Sequence, residues 1–441
     1  MSDSPAVRAP LEPKEQPILD RVLYLRDQLS LLKQDRSTYI KSHDVLHLYE
    51  QVIEQVHHLN VLRAEHDKAL EQNRVDNVLD DCFQLISLFF LTIGRNNEAP
   101  AVYAMTSTIR RLLDHLKEAA FYSAKDLDSI SHTFDEMRET LQRGKETYSP
   151  HLLTLLENRL DTCQHLLSEL QEPLASLSPA LTPVHEKLVS ILRSISAANT
   201  RQNFPAAEVQ GFQTQLKEIQ ATTVKGQFLA EDSTTPGGQQ IVGDLLARCL
   251  KWAEIVLNRQ GKIDERFKIT YEKLRSIRNS LEKLLLTQAW SLRETDLYSY
   301  QRQLDRIDEA RINGNFEDEQ GNKADLHAQR TLLYLLRRSY AYIYSLIIAS
   351  EPVSEALLPV FNQLQTLRRC LLEVKRSGGV SSPRELYPYS MKLNSIDNMR
   401  VDGKFLVGSD IPEGQGSVNA LLAECFELNY ELRVDAEGGS D

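Results

Sequence analysis

Three pairs of arginines offer the chain's first recognisable chemistry. Arg110 and Arg111, Arg337 and Arg338, and Arg368 and Arg369 all lie in stretches with helical periodicity. A guanidinium presents a planar fork of donors that matches a phosphate or a phosphopeptide, so one member of each pair is a candidate anion ligand. The preferred alternative is a solvated helix face carrying scattered ion pairs. Tyrosines crowd the C-terminal half at Tyr298, Tyr300, Tyr340, Tyr342, Tyr344, Tyr387 and Tyr389. At a spacing of two on a helix, one ring points inward and the next outward. Tyr300 and Tyr389 are taken as outward candidates for partner contact. The competing expectation is buried tyrosines hydrogen-bonded between helices.

Other chemistry fails on spacing. His43 and His47 stand four apart, as two metal ligands on a helix would, but no H-E-x-x-H and no third ligand accompany them. Gly237-Gly-Gln239 matches the tripeptide of peptide-release factors. A lone three-residue match is weak, and a related loop reads Glu413-Gly-Gln415. No Walker loop, dinucleotide fingerprint or nucleophile elbow is present. The sequence therefore names no catalytic residue, no metal site and no cofactor.

The elements that must hold these residues repeat at about 86 residues. Ile307-Asp-Glu-Ala-Arg-Ile-Asn-Gly-Asn-Phe316 and Ile396-Asp-Asn-Met-Arg-Val-Asp-Gly-Lys-Phe405 share one pattern without a gap. Val224-Lys-Gly-Gln-Phe228 is a weaker copy. Pro236-Gly-Gly-Gln-Gln240 and Pro412-Glu-Gly-Gln-Gly416 each precede a Leu-Leu-Ala-x-Cys helix. Cys82, Cys163, Cys249 and Cys425 recur at that period or twice it, and Ser339 stands where a further cysteine would fall. Leucine matches alone would follow from helix periodicity; the Gly, Gln, Cys and Asp-x-x-Arg matches do not.

The block predicts a structural loop. Asp308 with Arg311, and Asp397 with Arg400, are three apart on one helical face and can pair. Gly314 and Gly403 are expected at positive φ, ending a helix. Phe316 and Phe405 then fold back as apolar contacts, and Gln415 caps the next helix or fixes the loop. The predicted fold is all-α: tandem three-helix repeats forming consecutive helical bundles, elongated. Each unit is read in the order Cys-bearing helix, Leu-Arg helix, helix leading into the glycine, with the repeat eroded before residue 75.

Composition narrows the class. Mean hydropathy is −0.37, 26% of residues are charged and the net charge is −11. That balance argues against a nucleic-acid partner. The longest apolar run, Leu85 to Ile93, is too short to cross a bilayer, which needs about 20 residues. Five dispersed cysteines suggest free thiols in a reducing compartment. The expected division is a disordered tail at 1–16, an N-terminal helical domain at 17–229, an acidic Pro/Gly linker at 230–239, a C-terminal helical domain at 240–434 and an acidic tail at 435–441.

The 396–405 block, with Pro412-Glu-Gly-Gln415 and its Leu-Leu-x-x-Cys helix, resembles a fungal family of uncharacterised proteins with paired copies of a helical domain of unknown function. The resemblance is most specific over 294–434. It implies a cytoplasmic and nuclear protein, not secreted, and supplies no catalytic residues. The leading expectation is a non-enzymatic scaffold or adaptor that binds protein partners through inter-helix grooves. The alternative is a phosphate, phosphopeptide or other anion-binding module, and an unrecognised hydrolase comes last.

Overall fold

The four cysteines show how the repeat is built. In the computed structural model, which describes residues 11–64, 72–223, 227–228 and 237–438, each thiol lies against a main-chain carbonyl on a helix about 60 residues upstream. Cys82 reaches Val22 at 3.8 Å, Cys163 reaches Thr106 at 3.7 Å, Cys249 reaches Leu188 at 3.7 Å and Cys425 reaches Leu364 at 3.5 Å. The Cys-bearing helix therefore closes a unit instead of opening one. Its partner is the helix two before it.

With that phase, the fifteen α-helices of the described residues fall into five units. The first is α1 (Gln16–Gln34), α2 (Ser42–Ala64) and α3 (Arg74–Thr92). The second is α4 (Val102–Ala119), α5 (Ala124–Arg143) and α6 (Pro150–Ala175). The third is α7 (Thr182–Asn199), α8 (Ala206–Ala221) and α9 (Gln239–Arg259). The fourth is α10 (Lys268–Ser291), α11 (Leu297–Glu309) and α12 (Leu326–Ile348), and the fifth is α13 (Leu358–Arg376), α14 (Tyr387–Asp397) and α15 (Gln415–Gly438). In every unit the first and third helices pack together. The first unit, expected to be eroded, has the same construction as the others.

Local sequence explains the starts. Asn73 and Ser123 each form a reciprocal capping box with an aspartate three residues on. Proline stands in the first helical turn of α1, α6, α7 and α13, where its missing N–H costs nothing. The fold is all-α and elongated. Its accessible surface of 22842 Å² exceeds the ~17,000 Å² expected of a compact protein of this mass.

The described residues build three apolar cores. The largest apolar core joins units one, two and four, through residues such as Leu19, Phe89, Leu113, Leu297 and Leu335. Unit three has its own core around Trp252 and Leu188, and unit five another around Leu364 and Phe405. A cut at 230–239 would split unit three, because α9 packs back onto α7 and α8. The tails differ too. Glu15 is buried and ion-paired with Arg63 at 2.7 Å, so residues 11–16 are ordered by contact. At the other end α15 continues to Gly438, through the first residues of the expected acidic tail. Residues 1–10, 65–71, 224–226, 229–236 and 439–441 lie outside the described set, and with them most of the expected linker and of the weak third copy.

The glycine loops are also corrected in detail. Gly314 and Gly403 both have φ +76°, but neither ends a helix. α11 stops at Glu309 and α14 at Asp397. Asn313-Gly314 and Asp402-Gly403 instead form two-residue turns with both residues at positive φ, between Ile312 and Asn315 and between Val401 and Lys404. That is the hairpin turn that favours Asn-Gly and Asp-Gly. The Asp-Arg pairs form as expected. Arg311 meets Asp308 at 2.9 Å, and Arg400 pairs with Asp397. Phe316 and Phe405 are buried.

A glutamine holds each hairpin from the next helix. Gln415 accepts from the Phe405 N–H at 2.9 Å and donates to the Phe405 carbonyl at 2.7 Å. Gln329 does the same for Phe316, at 3.0 and 2.9 Å. Gln239 does so for Phe228, accepting at 3.0 Å. The glutamine of the Gly-Gly-Gln loop is thus one of three backbone clamps.

Candidate functional site

Where units one, two and four meet, they leave a cleft of about 640 Å³. That lies within the usual range for ligand sites, about 300–1,000 Å³. α2 contributes Asn60 and Arg63, α3 contributes Asn77, Asp80 and Gln84, and α4 contributes Tyr103, Arg110, Arg111 and Asp114. α6 adds Arg159, α11 adds Gln301 and Asp305, and α12 adds Tyr340. The walls hold arginines and acids in similar number, interleaved with carboxamides.

Most of that charge is already satisfied internally. Arg63 bridges Asp76 at 2.7 Å and Glu15 at 2.7 Å. Arg111 reaches Asp308 at 3.2 Å and Glu309 at 2.9 Å. Arg159 lies over the Tyr103 ring at 4.1 Å and beside Asp80 at 3.5 Å. One buried amide has an unused acceptor. Gln301, 2% exposed, donates to Thr108 at 3.2 Å while its Oε1 has no partner. A buried acceptor left open costs roughly 1–3 kcal/mol.

A layer of ionised groups underlies the cleft. Asp81 lies 3.1 Å from Arg302 and 3.7 Å from Arg26. Burial pushes its carboxyl up to about 6, against the pull of Arg302. Asp305 accepts from Tyr340 at 2.6 Å and is likewise pushed up to about 6 by burial, which outweighs Arg111. Burial would also raise Asp308, but His115 at 3.0 Å, with Arg111 and Arg311, holds it below the ordinary aspartate value. These pairs join α3, α4, α11 and α12, and so fix the angle at which the three units meet.

The arginine pairs are not brought together. Arg110 and Arg111 line the cleft. Arg337 is buried against the Phe121 ring at 4.3 Å, and burial, with Arg193 nearby, lowers it to about 10. Arg338 covers Tyr342 at 4.5 Å, and Arg368 pairs with Glu424 at 2.6 Å. Arg369 is exposed at the mouth of a second, smaller pocket. Of the tyrosines, Tyr298, Tyr340 and Tyr342 are buried, Tyr300 and Tyr389 are half-buried against apolar cores, and Tyr387 is exposed. Gln84, Gln301 and Asp305 carried no sequence signal; only the packing of units one and four assembles them. Among the described residues no three His, Cys, Asp or Glu side chains gather to hold a metal ion. No helix there is long and apolar enough to cross a membrane.

Comparison with known proteins agrees with the repeat. The family model described as a protein of unknown function (DUF2408) matches twice, at residues 174–294 and 350–440. A Schizosaccharomyces pombe protein described as a CUB1 family protein is 42% identical over 98% of this chain and 95% of its own length. The Saccharomyces cerevisiae "Cu(2+) suppressing and bleomycin sensitive protein 1" is 36% identical over 96% of this chain and 90% of its own. No solved structure matches significantly.

Proposed function

The chain belongs to the CUB1 family, whose matched members are fungal, and on that premise we propose that it is a non-enzymatic helical adaptor. It receives an uncharged polar segment of a partner protein in the cleft between units one, two and four. One observation carries this reading: the cleft's arginines are largely neutralised by the protein's own acids, which leaves carboxamides such as Asn60, Asn77 and Gln301 as its uncharged polar groups. Carboxamides suit a polypeptide main chain, which offers an N–H and a C=O at each residue. The chain's own Gln239, Gln329 and Gln415 hold a main chain in that way.

The anion reading has less support. Arg63, Arg111 and Arg159 would have to give up their internal acids to bind phosphate, and the six paired arginines lie in several separate places. The name of the S. cerevisiae relative raises copper. Four of this chain's thiols are buried in four different units, which gives a copper ion no shared thiolate site among them.

Quantitative affinity purification tests the adaptor reading. Asn60→Trp and Arg110→Glu alter exposed residues at the cleft. Both should deplete the same partners while leaving the melting temperature unchanged. Partners retained by both folded variants would overturn the assignment to the cleft.

A further inference from the structure

Units four and five are built alike and differ in what covers them. Leu297, Leu304 and Ile307 of α11 turn inward, as do Leu386, Leu393 and Ile396 of α14, which fixes the register between the two helices. In that register Tyr298 stands at Tyr387, Arg302 at Met391, Asp308 at Asp397 and Arg311 at Arg400. On α12 and α15, Tyr340 stands at Phe426 and Tyr344 at Tyr430. In unit four this face is an interface. α4 packs on α12, its His115 ring lies beside Tyr340 and reaches Asp308 at 3.0 Å, and its Glu118 meets Arg311 at 2.7 Å. α3 covers the start of α11, where Asp81 meets Arg302 at 3.1 Å. The same face of unit five lies open. Tyr298 is 3% exposed and Tyr387 65%, and the Asp308 side chain is 5% exposed and that of Asp397 36%. Met391 and Tyr430 are exposed as well. Unit three supplies the comparison. Val209, Leu216 and Ile219 set α8 in the same register, and Gln210, Thr214 and Glu254 stand at Tyr387, Met391 and Tyr430. All three are exposed. Where this face meets water it is polar, whereas unit five fills it with tyrosine and methionine, which are enriched at interfaces.

We propose that the α14–α15 face of unit five binds an amphipathic helix of a partner protein, in the place that α4 holds on unit four. That helix presents apolar side chains to Tyr387, Met391 and Tyr430. It presents a histidine or other cation to Asp397 and, three residues on, a carboxylate to Arg400, as His115 and Glu118 do for Asp308 and Arg311. Residues three apart share one helical face, so a single helix meets both demands. The exchange of Arg302 for Met391 sets the difference between the two sites: unit five calls for an apolar group where unit four takes the carboxylate of Asp81. A second copy of this chain does not supply the helix, because its own α4 is packed between α6 and α12. The face is separate from the cleft, and the inference does not depend on the reading given to the cleft.

The probe is an acetylated, amidated peptide of residues 102–119, the α4 sequence, added to the full chain. It carries Val102, Tyr103 and Met105 at its start and His115 and Glu118 towards its end. α4 and α11 run in the same direction, with Thr108 at Gln301, His115 at Asp308 and Glu118 at Arg311, so the peptide brings its apolar start to Tyr387. Met391 is one of five methionines, and its methyl NMR signal reads the site directly. The peptide should shift Met391 saturably and leave the buried Met137 unmoved. Tyr387→Ser changes an exposed residue and should weaken binding by about tenfold or more. Arg400→Glu should weaken it too, and Glu118→Lys in the peptide should restore binding to that variant. The absence of a saturable Met391 shift overturns the proposal, as does an affinity that neither Tyr387→Ser nor the charge exchange alters. Self-association of the full chain that Tyr387→Ser abolishes in sedimentation would assign the face to a second copy and also overturn it. If Arg400→Glu does not fold, Tyr387→Ser decides alone.

Discussion

Replacing Gln415 by alanine removes the clamp that ties the last hairpin to α15. The loss can be worked from its bonds: Phe405 N–H at 2.9 Å, Phe405 carbonyl at 2.7 Å and Pro412 carbonyl at 3.1 Å. Each such bond contributes about 0.5–1.5 kcal/mol net, and solvent can recover part of the loss at this half-buried site. A destabilisation of about 1–3 kcal/mol follows. Its visibility depends on how much of the chain unfolds with it. Unit five has a core of its own, distinct from the core shared by units one, two and four. For a unit of 60–100 residues, each kcal/mol moves the midpoint by roughly 4–8 °C. Gln329→Ala removes two equivalent bonds, but in a unit that shares the large core. Hydrogen exchange and calorimetry on both variants therefore separate the two cases. Gln415→Ala should lower a distinct transition and speed exchange across 358–438, whereas Gln329→Ala should give a smaller shift. Equal shifts, or unchanged exchange in unit five, would refute the reasoning that unit five is a separate cooperative body.

Further outcomes follow from single sites. A thiol reagent should label Cys370 alone in the native chain, and Cys370→Ser should label at none, because Cys82, Cys163, Cys249 and Cys425 are buried and burial raises their thiols. Gly403→Ala should cost about 1–2 kcal/mol in urea unfolding, purely from the positive φ since a methyl there meets no atom, and Gly403→Asn should cost less. Asp305 is held protonated up to about pH 6 in the folded chain and to about 3.9 unfolded. The folded state therefore binds more protons in that window, and stability falls as pH rises from about 4 to about 6. Asp305→Asn keeps an acceptor for Tyr340 and should flatten part of that fall in urea melts across the window; an unchanged slope would contradict the assignment.

Much of the fold is legible in the chain, and the reasons differ by element. The helices follow from leucine periodicity and from punctuation such as Asn73, Ser123 and Pro150. The hairpins follow from Asn313-Gly314 and Asp402-Gly403 once the glycines are read as turn residues, not helix ends. The period is legible but its phase is not. Nothing local says that the helix of Cys249 packs on the helix of Leu188 before it, since that pairing is a matter of which apolar stripes meet. Gln329 escaped because the loop before it carries an additional turn around Asp318, shifting its distance from the phenylalanine. The cores are not legible locally, because Pro, Gly and acid mark chain exposure, while the largest core depends on α12 lying against α4. The cleft was invisible for the same reason: Gln84 belongs to α3 and Gln301 and Asp305 to α11, elements far apart in the chain.

Photo-crosslinking inside cells tests the adaptor account most directly. A photoreactive phenylalanine at position 60 stands at the cleft, and one at position 269 replaces an isoleucine that is 82% exposed and does not line it. The account predicts discrete protein adducts from position 60 that are absent from position 269 and lost when Arg110→Glu is added. Adducts that are the same from both positions, or none from position 60, would contradict it.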